Sequence, residues 1–350
     1  MENPAPFHLE AHLERAPPRR RLASLPTPLE KLAVPGEVSA WVKRDDRSSD
    51  RYGGGKVRKL EFIFAQPEFT AAPRVRSIGA FGSHHLLALA IHGAQFGIGV
   101  DAVVAPQVVT KSAVRNLAAL SSMGARFFPV MDRLLVPWGM WRGRRAGEAV
   151  FLGPGGSNAA GCLGWVEAGL ELCHQVASGA MPAPSQIYVT AGTAGTSAGL
   201  LVGLTLGGMR THLRLVSAVE PLYFNGLLFR QKLALAWGAV RELGLRTRPG
   251  AGAVRWSIDH SQVGGGYAVP SVASRAAISW GRERGLSLET TYTGKCAAAM
   301  LRDLRGGGLD GPTLLWNTHA TTDVSRYIED GWRANLPARI QRWIHPVSLP

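Results

Sequence analysis

Lysine is scarce in this chain. Of its 39 basic residues, 7 are lysine and 32 are arginine. Where positive charge alone is needed the chain uses arginine, so each lysine draws attention as an amine able to lose its proton. Cysteine is scarcer. Cys162, Cys173 and Cys296 are odd in number and form no CxxC pair, which indicates neither a disulfide frame nor a zinc site. Long apolar runs are missing too: stretches such as AGLLVGLTLGG are broken by glycine and fall short of a membrane span. The N-terminal MENPAPFHLEAHLERAPPRRRLA has no apolar core for a signal peptide, and its acidic residues argue against a transit peptide. There is no repeat and no low-complexity linker. These absences predict a soluble, cytoplasmic protein with no membrane partner and no bound metal.

At 350 residues the chain is long for one core and sufficient for two lobes. An apolar fraction of 46% beside 18% charged residues argues against disorder. The net charge of +14 is compatible with nucleic-acid binding. However, the arginines are scattered, and the densest groups, Arg19 to Arg21 and Arg142 to Arg145, lack an aromatic-basic motif. The expectation is no nucleic-acid partner, with the charge serving a solvated surface and anionic cofactors or substrates.

Short β-branched runs alternate with helical patterns. VRSIGAF, VDAVVAP, ARFFPV, QIYVT, LRLVSAVEP and PTLLWNT read as strands. Helices are expected over about 84–96, KSAVRNLAALSSMG, about 162–178 and SAGLLVGLTLG, with the glycine-rich joint FLGPGGSNAAG between the third strand and the long helix. This order predicts an α/β protein with parallel sheets covered on both faces, and ligands at the carboxyl ends of the strands.

Two glycine-rich segments stand out. DRYGGGKVRKLEF sets Lys56 on a bare turn ahead of a helix; it reads either as a surface cation or as a nucleophilic amine. VTAGTAGTSAGL, between a strand and a helix, offers Gly192, Gly195 and free N–H groups at a helix start, which suits a phosphate or a plain βα turn. It matches neither the dinucleotide pattern GxGxxG nor a nucleotide P-loop. A nucleophilic lysine and a phosphate cradle together point to pyridoxal 5′-phosphate, with Thr318 in LLWNTHATTD as a candidate partner of the pyridine nitrogen.

LPTPLEKL, WVKRDDRSSDRYGGGKVRKLEF, GGSNAAGCLGWVEAGLEL, VTAGTAGTSAGLLVGL and YTGKCAAAML, in this order from about 25 to 323, resemble the D-cysteine desulfhydrase and 1-aminocyclopropane-1-carboxylate deaminase family. These are two-lobed fold-type II pyridoxal-phosphate enzymes of the tryptophan synthase β kind. The resemblance implies a large cofactor-binding domain over 1–60 and 166–350, a small substrate-side domain over 61–165, and a homodimer. It makes Lys56 the Schiff-base lysine and Gly192, Thr193, Ala194, Gly195 and Thr196 the phosphate loop. It places Ser83 near the substrate carboxylate, Tyr292 and Tyr267 over the substrate, and Thr318 at the pyridine nitrogen. Taken alone, both tyrosines read as half-buried packing and Ser83 as a helix cap.

The implied activity is that of a lyase or deaminase releasing a 2-oxo acid and ammonia from a small amino acid by α,β-elimination. The alternatives are β-replacement, racemisation, cyclopropane ring opening, or a catalytically degenerate homologue that only binds the cofactor. The family's deaminases carry YEGK; here the acidic position is Thr293, which leans toward elimination. Three further departures reshape the substrate side of the site. Gly55 replaces an asparagine, and His84 replaces the asparagine beside the cofactor's phenolic oxygen. Asn317-Thr318-His319-Ala320 replaces HTGG. His85 and His92, seven apart on one helix, read as packing rather than metal ligands.

Overall fold

The computed structural model describes residues 7–34, 38–131, 148–246 and 254–345. The basic group between Arg142 and Arg145 lies outside these residues. Within them the chain forms two sheets. The larger comprises β1 (Leu29–Leu32), β2 (Ala40–Arg44), β7 (Gln186–Ala191), β8 (His212–Ser217), β9 (Arg255–Asp259) and β10 (Thr313–Asn317), in the order β1-β2-β10-β7-β8-β9. Only the β1–β2 pair is antiparallel. The smaller sheet is wholly parallel, with β3 (Arg74–Ala80), β4 (Gly99–Ala105), β5 (Arg126–Pro129) and β6 (Val150–Leu152) in the order β5-β4-β3-β6.

The strands that read as continuous apolar runs are the central ones. Every residue of β10 is buried, as are all but the first of β7, because helices cover both faces of a parallel sheet. The helices are α1 (Gly55–Ile63), α2 (Pro67–Thr70), α3 (His84–Gly93), α4 (Lys111–Ser122), α5 (Ala159–Ala177), α6 (Gly195–Leu206), α7 (Gly226–Glu242), α8 (Val272–Arg282), α9 (Thr293–Arg305) and α10 (Ala338–Trp343). The long helix α5 begins three residues before its expected start, because the Asn158 side chain accepts the Gly161 N–H and caps it. Strands β1, β2, β6 and β9 have no counterpart in the sequence reading; β6 is three residues long and β9 is only partly buried, so neither carries a strong pattern.

Strand order positions the site. The last strand, β10, inserts between β2 and β7 and runs parallel to both. The carboxyl ends of β2, β10 and β7 therefore share one edge. That brings together the segment before α1, the turn at Thr318–Ala320 and the loop at Gly192–Ala194, which are far apart in the chain. From the smaller sheet, the carboxyl end of β3 feeds Ser83 and the start of α3.

Candidate active site

The turn before α1 is sterically determined. Gly54 has φ of 86°, and a Cβ there would stand 2.8 Å from the Thr318 carbonyl oxygen and 2.9 Å from the Ala320 nitrogen. A Cβ on Gly55 would come within 2.5 Å of the Trp165 ring, whose Nε1 donates to the Gly55 carbonyl at 3.1 Å. The indole occupies the room that a side chain at position 55 would need, so the change from asparagine is matched by packing. The Gly55 N–H donates to the Thr318 carbonyl at 3.1 Å, which pins α1 to the end of β10.

Lys56 emerges from this turn half-buried, and its amine forms no hydrogen bond among the described residues. Burial lowers it from its ordinary value to about 8. Three residues on, Lys59 is buried on the same helix, and its Nζ donates to the Gly155 carbonyl and the Ser157 hydroxyl, each at 3.1 Å. Burial, and then the charge of Lys56, pulls this second amine down to about 7. Ser157 Oγ lies 2.7 Å from Thr193 Oγ1, and Lys232 Nζ donates to the Ser157 carbonyl at 3.0 Å. Side chains thus link the lysine helix to the Gly192–Thr196 loop, and two lysine amines, Lys59 and Lys232, stand by that loop without a carboxylate partner at hydrogen-bond distance among the described residues.

The loop itself is built to expose donors. Ala194 adopts a left-handed φ of 63°, and α6 starts after it with no side-chain cap. The first-turn N–H groups of α6 have no intrahelical acceptor, and the buried Ser197 hydroxyl has no partner. A cleft of about 460 Å³ opens against the loop, lined in part by Ser157, Asn158, Thr193, Leu228 and Lys232. Lys56 does not line this cleft.

The remaining expected residues gather at the same edge. Ser83 caps α3, but its Oγ is 3.4 Å from the Leu86 nitrogen, a long bond that leaves hydroxyl capacity free. Tyr292 sits beside the loop: a Cβ on Gly192 would be 3.6 Å from its ring. Its hydroxyl lies 2.9 Å from that of Tyr267. Thr318 packs against the residue before Lys56: its Cβ is 3.3 Å from where a Gly55 Cβ would stand. The His84 and His319 rings meet edge to face at 5.2 Å. Burial and then His319 push His84 down to about 4, against an upward pull from Glu289 and with a smaller downward one from Lys56, so the ring is neutral at pH 7. His85 bonds Ser77 Oγ at 2.9 Å and His92 bonds the Tyr52 carbonyl at 2.9 Å, both structural contacts.

Three participants are missing from the sequence reading. Lys59 reads as an ordinary helical cation, and the i+3 spacing from Lys56 was its only signal. Tyr52 is buried, with its hydroxyl 2.6 Å from His84 Nδ1. Glu289 takes the N–H groups of Thr291, Tyr292 and Thr293 at 2.6 to 2.9 Å, so a carboxylate caps α9 from within the site. Burial would raise that carboxyl, but His319, His84 and these N–H groups outweigh it and hold it below its ordinary value. Thr293, where the deaminases have an acid, spends its hydroxyl on the Glu289 N–H at 3.1 Å.

Among the described residues no cluster of His, Cys, Asp and Glu could hold a metal ion, and no helix is long and apolar enough to cross a membrane. Residues 21–318 match the model of the family "Pyridoxal-phosphate dependent enzyme". The nocardicin C-9′ epimerase of Nocardia uniformis subsp. tsuyamanensis is 31% identical over 318 residues, 88% of this chain and 94% of that protein. The D-cysteine desulfhydrase of Yersinia pestis (strain Pestoides F) is 30% identical over 307 residues, 81% of this chain and 87% of that protein. The crystal structure of an ACC deaminase homologue superposes with a TM-score of 0.71, covering 91% of this chain and 96% of that one at 22% identity, which shows the shared fold.

The residues present fit the cofactor this family uses. The uncapped start of α6, the Ser197 hydroxyl, unpartnered among the described residues, and the Lys59 amine, which a phosphate dianion would draw into its protonated form, suit a phosphate group, and the Lys56 amine forms no hydrogen bond among the described residues. Expected motifs, fold and relatives agree: this chain belongs to the pyridoxal-phosphate dependent enzymes, in the branch of the D-cysteine desulfhydrases and ACC deaminases.

Proposed function

We propose that this protein removes the Cα proton of a small amino acid with Lys56 as the base and then expels a β-substituent, yielding a 2-oxo acid and ammonia as a D-cysteine desulfhydrase-like lyase. The observation that carries this reading is the state of Lys56. Its amine has no hydrogen-bond partner among the described residues and is held near 8, so a useful fraction is free base at mildly alkaline pH. Pyridoxal phosphate, when bound, supplies the electron sink for the carbanion.

The chain's own residues then divide the work. Lys59, the first-turn N–H groups of α6 and the 192–196 loop would hold the phosphate, and Thr318 would serve the pyridine nitrogen. His84 would donate to the phenolic oxygen, and the Ser83 hydroxyl at the start of α3 would bind the substrate carboxylate. Tyr292 and Tyr267, joined through their hydroxyls, hand a proton to or from the β-substituent. The stretch 61–165 serves as the substrate-side lobe, and 1–60 with 166–350 as the cofactor-binding lobe.

Borohydride reduction of the purified holoenzyme tests the assignment of Lys56. The pyridoxyl label is expected on the peptide containing Lys56 and absent from Lys56→Ala; a label elsewhere sinks the reading. The labelled enzyme's active counterpart is then incubated with D-cysteine, L-cysteine, D-serine and 1-aminocyclopropane-1-carboxylate, and 2-oxo acid is measured. D-cysteine is expected to give the highest rate.

A second reading, epimerisation at Cα, is favoured by two observations. One is the 31% identity to an epimerase. The other is the His84–His319 pair, which adds titratable groups near Lys56 beyond the Tyr292–Tyr267 pair that elimination uses. In deuterated buffer, Cα exchange and inversion without 2-oxo acid would replace the elimination reading with this one. Neither exchange nor product from any tested amino acid would leave only cofactor binding.

A further inference from the structure

We infer that Tyr52 is a positioning residue: its hydroxyl, with the Asn116 amide, holds the His84 ring with the proton on Nε2, so that the ring keeps an N–H donor free on the side away from Tyr52. The argument begins with Asn116. Its Nδ2 donates to the Gly82 carbonyl at 3.0 Å, and this bond fixes which end of the amide is nitrogen. The same Nδ2 lies 3.5 Å from His84 Nδ1. An amide nitrogen is only a donor, so Nδ1 presents its lone pair to it.

The Tyr52 hydroxyl reaches that lone pair at 2.6 Å. Burial raises the phenol well above its ordinary value, so Oη keeps its proton and donates it. The Tyr52 backbone is itself tied by His92 at 2.9 Å, and its ring lies nearly parallel to His84, at 23°. The proton of a neutral His84 is then on Nε2, which forms no hydrogen bond among the described residues.

Every group facing the ring is consistent with neutrality. Tyr52 comes from the turn before α1, Lys56 from α1 and Asn116 from α4. His319 comes from the turn after β10, and Glu289 from the segment before α9. Only Glu289 favours the imidazolium, and burial with His319 and Lys56 outweighs it. The consequence rests on the reading of Lys56 given above. His84 replaces an amide donor expected beside the cofactor's phenolic oxygen, and only the Nε2–H tautomer can present a donor there. The other tautomer would turn a lone pair toward an oxygen. Tyr52 thus makes the histidine an acceptable substitute.

The test uses protein labelled with ¹⁵N histidine, both cofactor-free and loaded, with His84 signals assigned by their loss in His84→Asn. Long-range ¹H–¹⁵N spectra at pH 7.5 are expected to show His84 as the neutral Nε2–H tautomer in both forms. Tyr52→Phe should lower the Nε2–H to Nδ1–H ratio about fivefold, the equivalent of one ordinary hydrogen bond, and should shift the absorbance of the loaded enzyme. A wild-type His84 that is Nδ1–H or charged overturns the inference without any variant, and so does an unchanged ratio in Tyr52→Phe. Borohydride labelling on the same sample separates the two claims: an unlabelled Lys56 with an Nε2–H His84 refutes the function and not the tautomer.

Discussion

At the scale of single residues, Lys59 shows how burial becomes measurable. Its amine has a folded value of about 7 and an ordinary one of 10.5, so between these limits the unfolded chain binds the proton that the folded chain has lost. Stability of the cofactor-free protein therefore rises with pH across that interval, and the cost of burying the charge is present in full below about 7. Lys56 adds the same sign through its value of about 8. Thermal melts of the cofactor-free protein from pH 6.5 to 9.5 should climb, and Lys59→Met should flatten part of the slope. An equal slope in both proteins would contradict the assignment. Removal of a charge-assisted hydrogen bond to phosphate is worth about 1.5–3 kcal/mol, so the same variant should weaken cofactor binding by about 10- to 100-fold in a fluorescence titration. Lys56 stood out in the sequence because lysine is rare and sits after three glycines, but that stretch alone reads as a surface cation, and only the loop at 192–196 and the family resemblance make it the candidate Schiff-base lysine. Lys59 did not stand out, since a cation inside a helix looks the same whether it faces water or a phosphate site.

At the scale of elements, α5 is the post against which the catalytic parts are aligned. Its glycines let backbones touch: a Cβ on Gly164 would collide with the Arg58 carbonyl of α1, and one on Gly169 would stand 2.6 Å from the Leu204 nitrogen of α6. The sequence displayed these glycines in GGSNAAGCLGWVEAGLEL, but not which helices they admit, because close approach is a property of a pair. Gly164→Ala must push α1 outward, and α1 carries both Lys56 and Lys59. A loss of about 1–3 kcal/mol is expected from such overpacking, with weaker cofactor binding as its companion. Denaturant unfolding and the fluorescence titration check the two effects; wild-type values in both would show that α1 is not seated by this contact. The strands β3, β4, β5, β7, β8 and β10 were legible from their apolar runs. Strands β1 and β2, with Lys43 and Arg44 buried inside β2, broke the usual pattern because their charges are neutralised by partners from elsewhere.

At the scale of the whole molecule, those partners form a buried ionic network. Arg58 of α1 binds Asp45 and Glu171, at 2.8 and 2.9 Å, and Lys43 of β2 also binds Glu171. Thr27 joins through Asp45 at 2.8 Å. The N-terminal segment, the large sheet, α1 and α5 thus meet at one balanced cluster. Burial would raise the Glu171 carboxyl, yet Arg58 and Lys43 bring it down to about 2. Its contribution to stability is then complete above its ordinary value of 4.5 and is lost as pH falls toward 2. Glu171→Gln leaves Lys43 and Arg58 with only the Asp45 carboxylate between them and should cost about 3–5 kcal/mol at pH 7 by chemical denaturation. A cost below about 1 kcal/mol would show that the cluster is not a structural joint.

The sequence by itself determined the chemistry available: a rare lysine after glycine, a glycine- and hydroxyl-rich loop opening a helix, and strands and helices in α/β alternation. These are local properties, set by backbone sterics and by the period of apolar residues. Tertiary structure decided what those parts meet. Inserting β10 between β2 and β7 brings Thr318 against Gly55 and the loop at Gly192 to the same edge. The fold also gathers the half-buried His84, His319 and Glu289 with the buried Tyr52 into one group. Their charges and proton positions depend on neighbours up to 267 residues away along the chain, from Tyr52 to His319, and such couplings exist only once the fold has removed the water between them.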